Sequence, residues 1–389
     1  MPITLSETPK IKYQESDSNP TGARGAGAEI PIIIGITGNS TPAEGILKFT
    51  NYSSAAKTVA NGGIGTDTTT NPVLAFLKDF FEENIKLASD DLCVPYVYVI
   101  DLGTGKTTGQ SPVLDATAWT AAMANAKKKR DVTAEVFVGF TKTDTATNII
   151  PIMESALEKI NSDATKGSPR IAYFTVEGTT MAELAAYTDS TQTKYIQKAR
   201  VALVEPTLFG KTCARIFTTH YSEEPGYAQY RSVSAGTFTE RTDTEENTIQ
   251  SQGIIFNRDE KPGKSIYPKI CLAVSTAFAK SADNRPNDCL LHARRNVDQL
   301  IRDAFEVIYP QLKRNETEVN LSYLQADLDT LVGNKKELGY MMEGTVLEVS
   351  ESASNPYDLE INGVAVPVNA TELIHFKMYI EAPNTTVGA

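Results

Sequence analysis

Between residues 30 and 210, short apolar runs alternate with stretches whose apolar residues recur every three or four positions. No other feature limits the possible folds of this chain as strongly. Residues 30–36, 94–102, 134–140, 171–176 and 201–205 are runs of strand length. Residues 73–85 place Val73, Phe76, Leu77, Phe80 and Phe81 on one helical face, and residues 116–129, 149–160, 181–187 and 195–199 are also helix-patterned. This strand–helix rhythm predicts an α/β domain with a mixed, partly parallel sheet. A serine at 53 or 54 is placed to cap a short helix. Residues 221–247 thin out in apolar content and gather charge, as an exposed crossing would; residues 253–256 and 270–274 resume strand character.

The last third changes style. Leu291, Val297, Leu300, Ile301, Ala304, Phe305 and Ile308 mark a long helix over residues 290–309, closed by Pro310. A second helix spans 318–331, with Gly333 as its stop. A strand at 345–349 and two β-prone runs over 357–368 follow, the latter joined by Asn362-Gly363, a strong hairpin signal. Pro367 suits an edge. Residues 372–381 then alternate strictly, with Ile374, Phe376, Met378 and Ile380 on one face. Such a terminal strand can complete its own sheet or be lent to a neighbour. Helices followed by strands predict a separate α+β module.

At 389 residues the chain has room for more than one core. A net charge of −11 argues against a non-specific nucleic-acid binder. Four scattered cysteines without paired spacing, and no signal-peptide pattern, suit folding in a reducing cytoplasm. No run is long and apolar enough for a membrane helix, and no direct membrane binding is expected. Residues 1–28 read as an extended arm or a disordered leader, with Ile11, Lys12 and Tyr13 able to form a short strand and Gly22, Gly25 and Gly27 able to act as a hinge.

Little in the sequence points to catalysis. The loop from Gly103 to Thr107 follows a strand and resembles a phosphate loop, but Ile100 stands where the Walker spacing requires glycine. A cytoplasmic nucleotide-binding α/β enzyme built on that loop is the alternative reading. His220, His292 and His375 lie far apart without metal-like spacing and read as surface or interface residues. No enzyme, cofactor or metal is expected. His292, Arg294, Arg295 and Arg302 open the long helix, either as a solvated face or as a basic stripe for an acidic partner.

The order of these parts resembles the contractile tail sheath proteins of bacteriophages, R-type tailocins and contractile injection systems. The resemblance rests on several segments, in order. They are the N-terminal arm, the strand at 30–36 with Gly35 followed by Gly38 and Pro42, and the helix ending in Phe80-Phe81 before a Val/Tyr strand. Further on come the Arg-bearing helix from His292, a helix leading to Gly339, and the finish at 366–380. A Trp-rich segment that many phage sheaths carry before the long helix is replaced by Asn284–Asp288.

The resemblance implies a homo-oligomer of stacked hexameric rings around an inner tube protein, capped by baseplate and terminator proteins. Such a sheath contracts from a metastable extended state. It is part of a virion or extracellular injection particle, assembled in a host cytoplasm. Mapped onto this chain, it implies an arm at 1–28, an outer α/β domain at 29–250, an inner tube-proximal α+β domain at 251–371 and a terminal strand at 372–389. The lent strands would be Ile11–Tyr13 and Ile374–Ile380, and Arg294, Arg295 and Arg302 would face the tube. Besides the nucleotide-binding enzyme, the other alternative is a different helical or shell viral structural protein using similar arms.

Overall fold

The computed structural model describes residues 29–87, 93–104, 116–139, 167–175, 200–223, 225, 233, 241–251, 253–258, 269–270, 291–311, 321–351 and 359–368. Its centre is a seven-stranded sheet. The apolar run near residue 30 forms β1 (Pro31–Gly35), buried along its whole length as a central parallel strand must be. After β2 (Leu47–Phe49) comes a four-residue helix, α1 (Tyr52–Ala55). Its cap is Asn51 rather than a serine: the Asn51 side chain accepts from Ser54 N at 2.8 Å, so Ser54 supplies the N–H and not the capping oxygen.

Helix α2 (Pro72–Leu87) starts on a proline, with the Asn71 side chain accepting from Leu74 N at 2.8 Å. Then follow β3 (Val97–Asp101), α3 (Ala116–Ala126), β4 (Ala134–Val138), β5 (Ile171–Thr175) and β6 (Val201–Val204). Helix α4 (Phe209–Thr218), α5 (Asp243–Ser251) and β7 (Ile254–Ile255) come next. The sheet order is β2-β3-β1-β4-β5-β6-β7, with β2 antiparallel to β3 and every other pairing parallel.

Both faces of the sheet are covered. One carries Trp119, Met123 and Ala126 of α3 and Ile249 of α5 over Ile32, Ile34, Phe137 and Phe174. Phe137 and Phe174 stack there at 4.4 Å between centroids. The other face carries α2 and α4, with Phe76, Phe80, Phe209 and Phe217 over Val99, Val136 and Tyr173. Helix α4 is buried on all sides, and Gly210 is what lets it close on α2: a Cβ there would lie 2.6 Å from the Phe76 carbonyl oxygen. Residues 243–247, expected in an exposed crossing, begin α5; Ile249 anchors it to the core despite its charged first turns.

Past the expected domain boundary at 250, β7 still belongs to the main sheet. A small antiparallel pair, β8 (Asn257–Arg258) with β9 (Lys269–Ile270), follows. Helix α6 (Leu291–Ile308) leads through a short 3-10 turn at Tyr309–Gln311 to α7 (Leu321–Glu337), and the strands β10 (Val346–Glu351) and β11 (Leu359–Val364) pair antiparallel. Helix α7 runs through Gly333, where a Cβ would meet nothing, and the chain turns instead at Gly339, with φ of +72°. The Asn362-Gly363 dipeptide is not a turn. It lies inside β11, with Asn362 opposite Glu348 and Gly363 opposite Leu347. Glycine at 363 relieves crowding across the pair, since a Cβ would fall 2.6 Å from both Leu347 Cδ2 and Val346 O. The helices expected at 149–160, 181–187 and 195–199 lie outside the described residues.

Candidate assembly interface

Helix α6 joins two cores. In its first half Leu291 packs under the main sheet with α2 and α4. In its second half Ala304 and Ile308 meet Leu324 and Leu328 of α7, closed over by Leu347, Val349 and Ile361 of the two-stranded sheet. The amphipathic period of α6 is therefore shared between two partners, and its polar residues are tied down with it.

Arg295 is fully buried: its Nε donates to Glu29 Oε1 at 2.9 Å and its Nη2 to Thr219 O at 2.6 Å. Asp298 pairs with Arg200 beside β6. Arg302 donates to the Pro169 carbonyl, and burial draws its pKa down against the pull of Asp298 and Glu29. Asn296 donates to the Tyr340 carbonyl.

These contacts correct the expectation that Arg295 faces a tube. A guanidinium ion-paired inside the subunit cannot also present itself to a partner without leaving Glu29 buried and unpaired. Arg302 is half-buried and bound to Pro169, and Arg294, one position before Arg295, is half-buried too. His292, expected at a surface or interface, is 1% exposed. His220 stands between Tyr221 and Tyr340, at 4.1 and 5.0 Å between centroids, with Nδ1 2.6 Å from Ser222 Oγ. Burial, then the charges of Arg295 and Lys335, push its pKa down to about 4. Lys335 of α7 reaches Asp303 of α6 at 2.6 Å and Tyr221 OH at 3.0 Å, locking the two helices to the body.

Among the described residues, the large exposed hydrophobic side chains gather on this unit. Tyr323, Leu338, Met342, Val346 and Val364 are all large and exposed, Tyr323 at 73% and Val364 at 56%. Val346 and Val364 face each other across β10 and β11 on the outward side. Leu347, Val349 and Ile361 point inward. Among the described residues the pair is thus a half-buried sheet of two strands, too small to stand alone without its helices. Main-chain pairing is what such a sheet can offer a partner. Ile11, Lys12, Tyr13, Gly22, Gly25 and Gly27, and likewise Ile374, Phe376, Met378 and Ile380, lie outside the described residues.

The phosphate-loop alternative finds little support at its start. Gly103 N donates to Asp101 Oδ1 at 2.6 Å, and Gly103 O accepts from Thr37 N and Gly38 N. Asp101 also takes Thr37 Oγ1, Asn39 Nδ2 and Ala43 N, so this carboxylate staples the strand ends together. The residues after Thr104 lie outside the described part. Among the described residues no group of three acidic, histidine or cysteine side chains could hold a metal, and no helix is long and apolar enough to cross a membrane.

A doubly covered mixed sheet bearing a helical α+β unit with a two-stranded, apolar-faced sheet is a recognisable class of structure. Solved contractile sheath proteins are among its examples, and the chain has their fold. It superposes on the contracted helical sheath of the anti-feeding prophage with a TM-score of 0.60 at 12% identity, covering 97% of this chain and 100% of that one. The sheath of an extracellular contractile injection system, PVC, in its contracted state gives 0.61 at 10% identity over 97% and 99%. A sheath tail protein of Desulfitobacterium hafniense gives 0.56 at 11% identity over 94% and 98%. No protein-family model matches the sequence, and no curated protein matches it.

Proposed function

We propose that the chain is a structural, non-enzymatic subunit of a contractile tail sheath. It would polymerise in stacked hexameric rings around an inner tube and contract from a metastable extended state to drive that tube through a target envelope. The observation that carries this is the whole-length correspondence with sheath structures, which takes in the α+β unit as well as the common α/β sheet. Copies of itself and a baseplate are the partners this reading requires, with a tube protein and a terminator beyond them. The particle would be a virion or an extracellular injection device, put together in a host cytoplasm.

The physics is consistent with that role. A heterologous contact that does not close on itself yields open helical assemblies. Strands lent between copies, from Ile11–Tyr13 at one end and Ile374–Ile380 at the other, hold by main-chain hydrogen bonds. Such bonds survive reorientation of the bodies they link if Gly22, Gly25 and Gly27 take up the motion. We retain Arg294, half-buried on α6, as facing a tube.

Negative-stain microscopy of the purified chain across a concentration series tests the proposal. Hollow tubes of stacked rings are expected at high concentration; a monodisperse globular particle at every concentration would refute it.

A further inference from the structure

The two edges of the β10–β11 sheet are not equivalent. On β10, the carboxamide of Gln325, carried by α7, takes the backbone: Nε2 donates to Leu347 O at 2.8 Å and Val349 N donates to Oε1 at 2.9 Å. The second Nε2 hydrogen goes to Asp329 Oδ1 at 2.8 Å, which fixes the amide's orientation. An acceptor carbonyl at 347 and a donor N–H at 349, bound to one donor–acceptor unit, is the pattern one residue of a parallel strand would make. Gln325 therefore stands where a third strand would lie.

The same bonds fix the other edge. Leu347 and Val349 point their backbone groups away from β11, so their opposite numbers Gly363 and Ile361 point theirs away from β10. Among the described residues nothing meets the outward groups of Ile361 and Gly363. The exposed Val346–Val364 pair lies on the face beside them.

We propose that Gln325 closes the β10 edge to strand addition, and that an extended segment of a second copy is admitted only along β11, at Ile361 and Gly363. This deepens the sheath reading and rests on it for the second copy. A sheet open on both edges would accept strands in two registers and branch; one sealed edge confines strand addition to the β11 side. The exposed apolar residues gathered on this unit favour a copy of the chain as the occupant, since a surface of that kind is ordinarily covered in an assembly.

Residue-resolved amide hydrogen exchange on the full chain decides it, in dilute monomer and in particles dissolved under quench. In the monomer, Val349 should be protected while Ile361 and Gly363 exchange freely. Gln325→Ala should cost Val349 about ten-fold or more in protection without unfolding β11. On assembly, Ile361 and Gly363 should slow by about a hundred-fold, with Leu347 unchanged. Val349 protection indifferent to Gln325→Ala overturns the edge stop. Protection at Leu347 on assembly overturns the choice of edge. Protection of Ile361 and Gly363 already in the dilute monomer means the chain covers its own edge and overturns the second copy. If no helical particle forms, the sheath reading fails, while the monomer arm still judges Gln325 alone.

Discussion

Arg295 Nε and Glu29 Oε1 lie 2.9 Å apart, separated by 266 residues of chain and with side-chain exposures of 0% and 9%. The pair fastens the segment entering β1 to the helix that carries the small α+β unit. Removing one partner strands a charge in the interior, at about 3–5 kcal/mol. Arg295→Met should lower the chemical denaturation midpoint sharply, and Glu29→Leu combined with it should recover much of the loss. Equal midpoints for single and double variants would contradict the pairing.

Arg294→Glu and Arg295→Glu should separate cleanly. The first is expected to cost less stability than the second and to weaken co-sedimentation with a tube protein, with a shallower salt dependence. The second is expected to fail in folding before assembly can be assayed. Similar behaviour of the two would argue against their different placement.

His220 sets an acid limit. Its folded pKa, about 4, lies below the ordinary 6.5, so the unfolded chain takes up the proton first as pH falls. Stability should be complete above pH 6.5, decline through the window down to about 4 and level off below; the loss is at most about 3 kcal/mol, less what water screens at this half-buried ring. Subtracting the His220→Phe curve from the parent's should isolate that slope. A flat difference between pH 4 and 6.5 would rule it out.

Gly35 ends β1 where α2 crosses it. A Cβ would stand 2.5 Å from Val73 Cγ2 and 2.6 Å from Val138 O, so Gly35→Ala should destabilise by about 1–3 kcal/mol through forced separation of helix and strand. Unaltered denaturant midpoints would show that α2 gives way freely.

Truncation to residues 21–389 or 1–371 should leave the denaturation midpoint within about 0.5 kcal/mol of the full chain and abolish tubes in micrographs. Long tubes from either truncated form would defeat the lent-strand proposal.

The main sheet was readable because its buried parallel strands are apolar at most positions, Glu135 and Asp101 being exceptions: Ile32, Val99, Val136 and Leu203 need no context to declare themselves. The ends of elements were not. Gly333 looks like a stop only if the helix lacks packing beyond it, and Lys335, held by Asp303 and Tyr221, supplies that packing. Asn362-Gly363 has turn chemistry, yet cross-strand crowding at Leu347 explains the glycine better than a turn does. Helix α4 hid because Lys211 and Arg215 break its apolar face, although both are buried in the fold. The role of Gln325 had no sequence signal, since an exposed-looking glutamine on a helix acquires it only from the strand brought alongside.

The continuity of α6 bears on how force would travel. Eighteen residues of helix, about 27 Å, start beneath the seven-stranded sheet and finish inside the small core of α7, β10 and β11. With Arg295, Asp298 and Arg302 pinned along the shaft, that rod has no joint at which the two cores could swivel. A pull on the two-stranded sheet would reach the large one as through a crank.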